Sequence, residues 1–139
     1  MTSFKAQILT PEGCLFDDEV KGVRVPGEMG SFEMKTLHAN IISTLEIGEI
    51  LVRKATGDEK RFAVTGGFVE MVDNKLTLLA EAAEPVEEID VERAEEAKER
   101  AIQRIDSEDP EVDKNRARSA LKRAENRISL ASDISVSTR

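Results

Sequence analysis

Few residues in this chain have the chemistry of a reactive centre. Cys14 is the only cysteine and His38 the only histidine. Neither stands near a sequence neighbour that would activate it or complete a metal site, so Cys14 reads as a small core or turn residue and His38 as structural. The Gly66-Gly67 pair is not followed by the Lys-Ser or Lys-Thr of a phosphate loop and reads instead as a bulge or a close backbone approach. The carboxylates are numerous, but most fall on helical stretches with no paired, tuned arrangement for acid–base work. What remains is charge recognition. Seven acids (Glu87, Glu88, Asp90, Glu92, Glu95, Glu96, Glu99) face three bases between positions 87 and 100, whereas six bases (Lys114, Arg116, Arg118, Lys122, Arg123, Arg127) face only Glu125 between 114 and 127. Pairs four residues apart account for part of this pattern. The segregation goes further and equips the second stretch to exchange an acidic neighbour for another acidic surface. The chain thus reads as a binding protein, not an enzyme.

The elements that carry these charges follow from the composition. All eight glycines lie between Gly13 and Gly67 and all five phenylalanines between Phe4 and Phe68; beyond Gly67 neither type occurs. In the first part, short apolar runs at 6–9, 14–16, 20–25, 47–52, 62–64, 68–72 and 76–79 alternate with turn signals such as Pro11-Glu12-Gly13 and Pro26-Gly27. The tripeptides at 56–58 and 73–75 predict hairpin tips. This is the grammar of an all-β sandwich or barrel.

From Pro85 the period changes. Ala94, Ala97, Ala101 and Ile105 recur at steps of three and four, as do Ala117, Ala120 or Leu121, Ala124, Ile128 and Ala131. Two helices are expected, the first N-capped by Asp90 and the second started by Asp109-Pro110-Glu111, with a short polar turn at 106–109 that folds them back antiparallel. Their seam is mostly alanine, and each methyl contributes on the order of 1 kcal/mol or less on burial. Such a hairpin is marginal alone and able to open when a partner binds.

At 139 residues, 40% apolar and 35% charged, with no Trp or Tyr, the chain is globular with an aliphatic core. A net charge of −8 argues against nucleic acid as a partner. Residues 1–5 carry no signal or transit pattern, and no run approaches the roughly 20 apolar residues of a membrane span, so membrane association is expected only through a partner.

Several stretches together match one family in order and spacing. They are Leu9-Thr10-Pro11-Glu12-Gly13, Val25-Pro26-Gly27 with Gly30 and His38, Val64-Thr65-Gly66-Gly67-Phe68-Val69-Glu70, Leu79-Ala80-Glu81-Ala82-Ala83, and Ile89-Asp90-Val91-Glu92-Arg93-Ala94. The chain resembles the epsilon subunit of bacterial and chloroplast F-type ATP synthases over essentially its whole length. The resemblance implies a flattened β-sandwich of about ten short antiparallel strands over residues 1–84 and an antiparallel two-helix regulatory hairpin over 85–139. It implies a non-catalytic subunit of the central rotor stalk, peripheral to the cytoplasmic face of the bacterial plasma membrane. There the sandwich would hold the gamma subunit and rest on the ring of c subunits, coupling proton flow to ATP synthesis. The hairpin, extended, would reach the catalytic alpha and beta subunits and restrain ATP hydrolysis. No cofactor is required, but some members bind regulatory ATP, with Mg²⁺ dependence open.

Carried over residue by residue, the ATP-binding candidates are Glu84, Ile89, Asp90, Arg93, Ala94, Arg100, Arg123 and Arg127. With a turn centred near Glu108, Arg93 and Arg123 fall at one level of the hairpin, and Arg123 and Arg127 share a face. Converging guanidiniums suit a polyphosphate, and Asp90 an adenine edge. The alternative is that Asp90 is only a cap and the arginines pair with Glu92, Glu96 and Glu99. The candidate partner contacts are Glu28, Ser31, His38, Lys114, Arg116, Arg118 and Lys122. Segment 31–45 departs from the family pattern: His38 and Ala39 remain, but the prolines and the glycine between Gly30 and His38 are absent, and Ser31 stands where an acid is common. A stand-alone adaptor that uses the hairpin on an unrelated partner is the rival reading.

Overall fold

The computed structural model describes residues 3–36 and 39–137, so His38 lies outside the described residues. Two compact units follow one another, 1–85 and 86–139. The division falls after Pro85, which ends the last strand rather than opening the helical unit.

Among the described residues the first unit has nine strands, one fewer than about ten: β1 (Phe4–Thr10), β2 (Gly13–Gly27), β3 (Gly30–Lys35), β4 (Ile41–Leu45), β5 (Gly48–Lys54), β6 (Glu59–Val64), β7 (Gly67–Val72), β8 (Lys75–Ala80) and β9 (Ala83–Pro85). They form one sheet in the order β4-β7-β8-β1-β2-β5-β6-β9, with β3 also on β2. The runs at 14–16 and 20–25 are a single strand. The first half of β2 pairs with β1 and the second half with β3 and β5, so β2 belongs to both layers of the folded-over sheet. The register slips between Val20 and Gly22, and the buried positions change parity there, from Phe16 and Val20 to Val23 and Val25. A bulge of this kind re-aims a strand without ending it. The pairing is not wholly antiparallel either, since β1 and β8 run parallel.

Between the layers lies an aliphatic core that includes Ile8, Val23, Met34, Ile50, Val52, Met71, Leu76 and Leu78, all fully buried. Phe16 on β2 meets Phe62 on β6 edge-to-face at 6.1 Å, which joins the two layers. Asp73 and Asn74, at φ 50° and 62°, make the two-residue turn between β7 and β8, and the 56–58 tripeptide turns β5 into β6 with Gly57 at φ 101°. Cys14 is exposed beside the β1–β2 turn, so the core half of its reading does not hold.

The second unit opens with a 3₁₀ turn, Val86–Glu88, followed by α1 (Val91–Ile105) and α2 (Lys114–Ser137). Asp90 caps α1, its carboxylate accepting from the Arg93 amide at 3.1 Å. The start of α2 differs from expectation. Asp109 accepts from the Glu111 amide inside the connecting loop, while the acceptor at the helix start is Asp113, bonded to the Arg116 amide at 3.1 Å. The connection therefore runs over 106–113, longer than the turn at 106–109.

Candidate functional site

The helices meet on small residues. Ala94 and Ala101 of α1 and Ala117 and Ala124 of α2 are almost wholly buried, and the C-terminal half of α1 shares one groove with the N-terminal half of α2, as in an antiparallel pair. Methyl groups let the backbones approach but fill little volume, and toward the connecting loop the seam opens into a groove of about 260 Å³. Its lining is simple: Ala97, Ala101, Ala117 and Ala120 contribute from the seam, and Arg100, Arg104, Arg116 and Arg123 stand around it. The helical repeat dictates this arrangement. Ala97, Arg100, Ala101 and Arg104 share one stripe of α1, and Arg116, Ala120 and Arg123 one stripe of α2.

Among the described residues, neither these four guanidiniums nor that of Arg93 has a carboxylate within 4.0 Å. The expected pairing of arginines with Glu92, Glu96 and Glu99 is therefore not found for Arg93, Arg100 or Arg123. Four cations beside an alanine surface can hold an anion through forked hydrogen bonds.

The groove unites some expected site residues and omits others. Arg100 and Arg123 stand together in it; Arg93 is exposed and lies outside its lining, and Arg127 is half-buried and likewise outside. With the loop centred later than Glu108, Arg123 comes level with Ala97 and Arg100 instead of Arg93. Asp90 is the α1 cap, Ala94 is a buried seam residue, and Ile89 is half-buried just before the cap, its amide bonded to the Val86 carbonyl at 3.2 Å. Glu84 belongs to β9 in the other unit, opposite Ala63.

Of the partner-contact candidates, Arg116 turns out to rim the groove. Arg118 donates to Asn115 Oδ1 at 3.0 Å, and Lys114 and Lys122 are exposed. Glu28 and Ser31 are exposed at the β2–β3 turn around Met29, which is 99% exposed. Arg104 was missed altogether. Its signal was the i, i+4 spacing from Arg100, which acquires meaning only once the facing helix brings Arg116 to the same level.

A β-sheet unit joined to an antiparallel helical pair with an arginine-rimmed seam defines a class of two-unit proteins. Residues 3–86 match the family described as ATP synthase, delta/epsilon chain, beta-sandwich domain, and residues 87–132 match its long alpha-helix domain. The chain belongs to this delta/epsilon family of ATP synthase chains, and the resemblance read from its motifs is borne out. It is 41% identical over 127 residues to the ATP synthase epsilon chain of Syntrophomonas wolfei, covering 91% of this chain and 93% of that one. It is 45% identical over 107 residues to that of Salinibacter ruber, covering 71% and 72%. The epsilon chain of Moorella thermoacetica is 39% identical over 134 residues, covering 96% of this chain and the whole of the relative. A chain in the Euglena gracilis mitochondrial ATP synthase (OSCP/F1/c-ring) shares the fold with a TM-score of 0.79 at 21% identity, covering 89% of this chain and 78% of that one.

Proposed function

We propose that this chain is a non-catalytic subunit of the central stalk, with the sheet unit as its anchor and the helical hairpin as its regulatory arm. In this reading the sheet unit binds the gamma subunit and the ring of c subunits, and the arm reaches the catalytic alpha and beta subunits to restrain ATP hydrolysis. The observation that carries it is the hairpin seam: alanine packing that buries little area, bordered by arginines with no carboxylate within 4.0 Å among the described residues. An arm built this way loses little on opening and offers cations to an acidic partner. Glu28 and Ser31 at the β2–β3 turn, with His38, are the proposed rotor contacts; Lys114, Arg116, Arg118 and Lys122 are those of the arm. No helix among the described residues is long and apolar enough to cross a membrane, and attachment to the cytoplasmic face of the plasma membrane is proposed to run through the complex. The test is ATPase activity of the reconstituted catalytic head with the full chain and with the chain truncated after Pro85. Restraint by the full chain alone supports the reading, and equal activities remove the regulatory role. A one-to-one complex with the gamma subunit separates the stalk role from that of a stand-alone adaptor.

Regulatory ATP belongs to the same proposal. Arg100 and Arg123, brought together on one groove, would hold phosphates, with Arg93 and Arg127 beyond them and Glu84, Ile89, Asp90 and Ala94 as the remaining candidates. Titration of the chain with ATP, with and without Mg²⁺, tests it. Binding that Arg123→Ala with Arg127→Ala abolishes supports the site, and no heat up to millimolar ATP removes it.

A further inference from the structure

We propose that Met29 is a reversible oxidation site, and that conversion of its thioether to the sulfoxide releases the β2–β3 turn from the rotor. The second half of this proposal rests on the rotor contact proposed above for Glu28 and Ser31.

The chain has four methionines, and three of them lie among the described residues. Met34 and Met71 belong to the core and are 0% exposed, whereas Met29 is 99% exposed. A single apolar side chain in water needs no special explanation. This one differs in how firmly it is held there. β2 and β3 pair as far as Gly27 and Gly30, which leaves Glu28 and Met29 alone as the turn. Gly30 takes up the reversal at φ 111°, and neither turn residue has a positive φ. The root of the turn is fixed on two sides. The Phe32 ring lies over Gly27, so close that a β-carbon there would stand 2.6 Å from it, and the Glu46 amide donates to the Pro26 carbonyl at 2.8 Å. Met29 is therefore presented by a short, rooted hairpin, not by a loose loop that could fold the thioether away.

Exposure decides the chemistry. A thioether needs no deprotonation to react, so its oxidation follows the access of the oxidant to sulfur. Hydrogen peroxide stands for the oxidant class. The Sδ lone pair attacks one peroxide oxygen, the S–O bond forms as the O–O bond breaks, and the other oxygen leaves as water with both peroxide protons. Sulfur loses the two electrons that the peroxide gains. The return step takes two electrons from a dithiol, which becomes a disulfide while the sulfoxide oxygen leaves as water; methionine sulfoxide reductases perform it. Met34 and Met71 can follow the same course only when the sheet opens.

Oxidation changes what the turn offers a partner. Met29 is the one large apolar side chain exposed there, between the exposed Glu28 and Ser31. Its thioether is apolar and adapts to the surface it meets, whereas the sulfoxide is polar and keeps its hydration. The oxidised turn is left with polar groups alone.

The test uses the full chain carrying Cys14→Ser, because Cys14 is exposed and peroxide also oxidises thiols. The folded chain is treated with hydrogen peroxide and its peptides are weighed, and binding to the purified ring of c subunits is titrated, with the gamma subunit present, before and after treatment. The expected result is one oxygen gained at Met29 while Met34 and Met71 remain thioethers, with the thermal melt unchanged. Affinity for the ring should fall by about tenfold to a hundredfold, the range that loss of a buried methionine side chain produces. A methionine sulfoxide reductase with dithiothreitol should restore it. The affinity of the same chain with Met29→Leu, whatever its starting value, should not change on peroxide treatment. The proposal is overturned if Met34 or Met71 is oxidised as fast as Met29, if the Met29 sulfoxide binds the ring like the untreated chain, or if the Met29→Leu chain loses affinity equally. An untreated chain that does not bind the ring removes the rotor contact itself, and the release step with it.

Discussion

Gly67 and Leu79 are in closer contact than any side chain at position 67 permits: a β-carbon on Gly67 would stand 2.1 Å from the Leu79 carbonyl oxygen. The strands β7 and β8 begin their pairing here, Gly67 opposite Ala80, with Gly67 at φ 132°. Gly67→Ala should therefore combine backbone strain with a collision against backbone that cannot turn aside, costing about 3–5 kcal/mol. Gly13→Ala is the control: φ is 130°, but nothing lies within 4 Å of the added carbon, so about 1 kcal/mol is expected. Thermal melts decide the matter, at roughly 4–8 °C per kcal/mol for a unit of this size. Equal shifts for the two variants would show that the close approach contributes nothing.

That glycine pair was readable in the sequence because a double glycine between two strand runs has few structural uses. The helical unit was readable too, since alanine at steps of three and four is a local pattern and Asp90 precedes it by the right interval. The parallel pairing of β1 with β8 left no local trace, because it joins residues some seventy positions apart. Strands β3 and β4 fall in segment 31–45, where departures from the family pattern hid a strand whose single fully buried residue is Met34. The arginine groove was half legible. Each helix shows its own stripe, but which arginines share a level depends on the length of the connecting loop, and that loop was read four residues short.

Asp17 carries a pH dependence with a defined sign. Gln7 Nε2 donates to its Oδ2 at 3.2 Å and Lys5 Nζ stands 3.1 Å from Oδ1. The Gln7 hydrogen bond, followed by that of Lys5, holds the Asp17 carboxyl below its ordinary value, and Asp17 in turn raises the Lys5 ammonium. Stability from the lowered carboxyl is complete above its unfolded value and is lost as pH falls through the folded value; stability from the raised ammonium is complete below its unfolded value and lost as pH climbs through the folded one. The melting difference between the parent chain and Asp17→Asn should thus be constant near neutrality and close below about pH 4 and above about pH 10.5. Both groups are solvent-exposed, so 1 M salt should shrink the difference at every pH. A gap that persists in acid would show that the amide variant harms packing instead.

The alanine seam makes a prediction about size. Ala101 is 2% exposed and Ala117 3%, so a leucine at position 101 either parts the helices or is driven among the arginines of the groove that Ala101 lines. Ala101→Leu should destabilise the hairpin by about 1–3 kcal/mol. Hydrogen exchange at α1 and α2 amides measures the effect, with opening expected to rise roughly five- to 150-fold. Unchanged exchange would mean that the seam has slack, and the account of a closely packed, marginal arm would fail.

Two aspartates at the start of α2 separate a loop contact from a true cap. Asp113 accepts the Arg116 amide at 3.1 Å, and its own carbonyl accepts from Ala117 at 3.1 Å, so it is the last residue before the helix and satisfies one of its orphaned donors. Asp109 accepts the Glu111 amide at 2.9 Å, four residues earlier, where no helix yet runs. The carboxylate of Asp113 also lies at the positive end of a helix spanning Lys114–Ser137, whereas that of Asp109 belongs to an exposed turn. Asp113→Ala should cost about 1 kcal/mol of hairpin stability and fray the first turn of α2, and Asp113→Ser should recover most of it. Asp109→Ala should cost no more than a few tenths of a kcal/mol. Amide exchange at Arg116 and Ala117 reads both variants directly. If Asp109→Ala were the more damaging, α2 in solution would begin at Pro110, and the levels assigned to Arg116 and Arg123 along the groove would have to be redrawn.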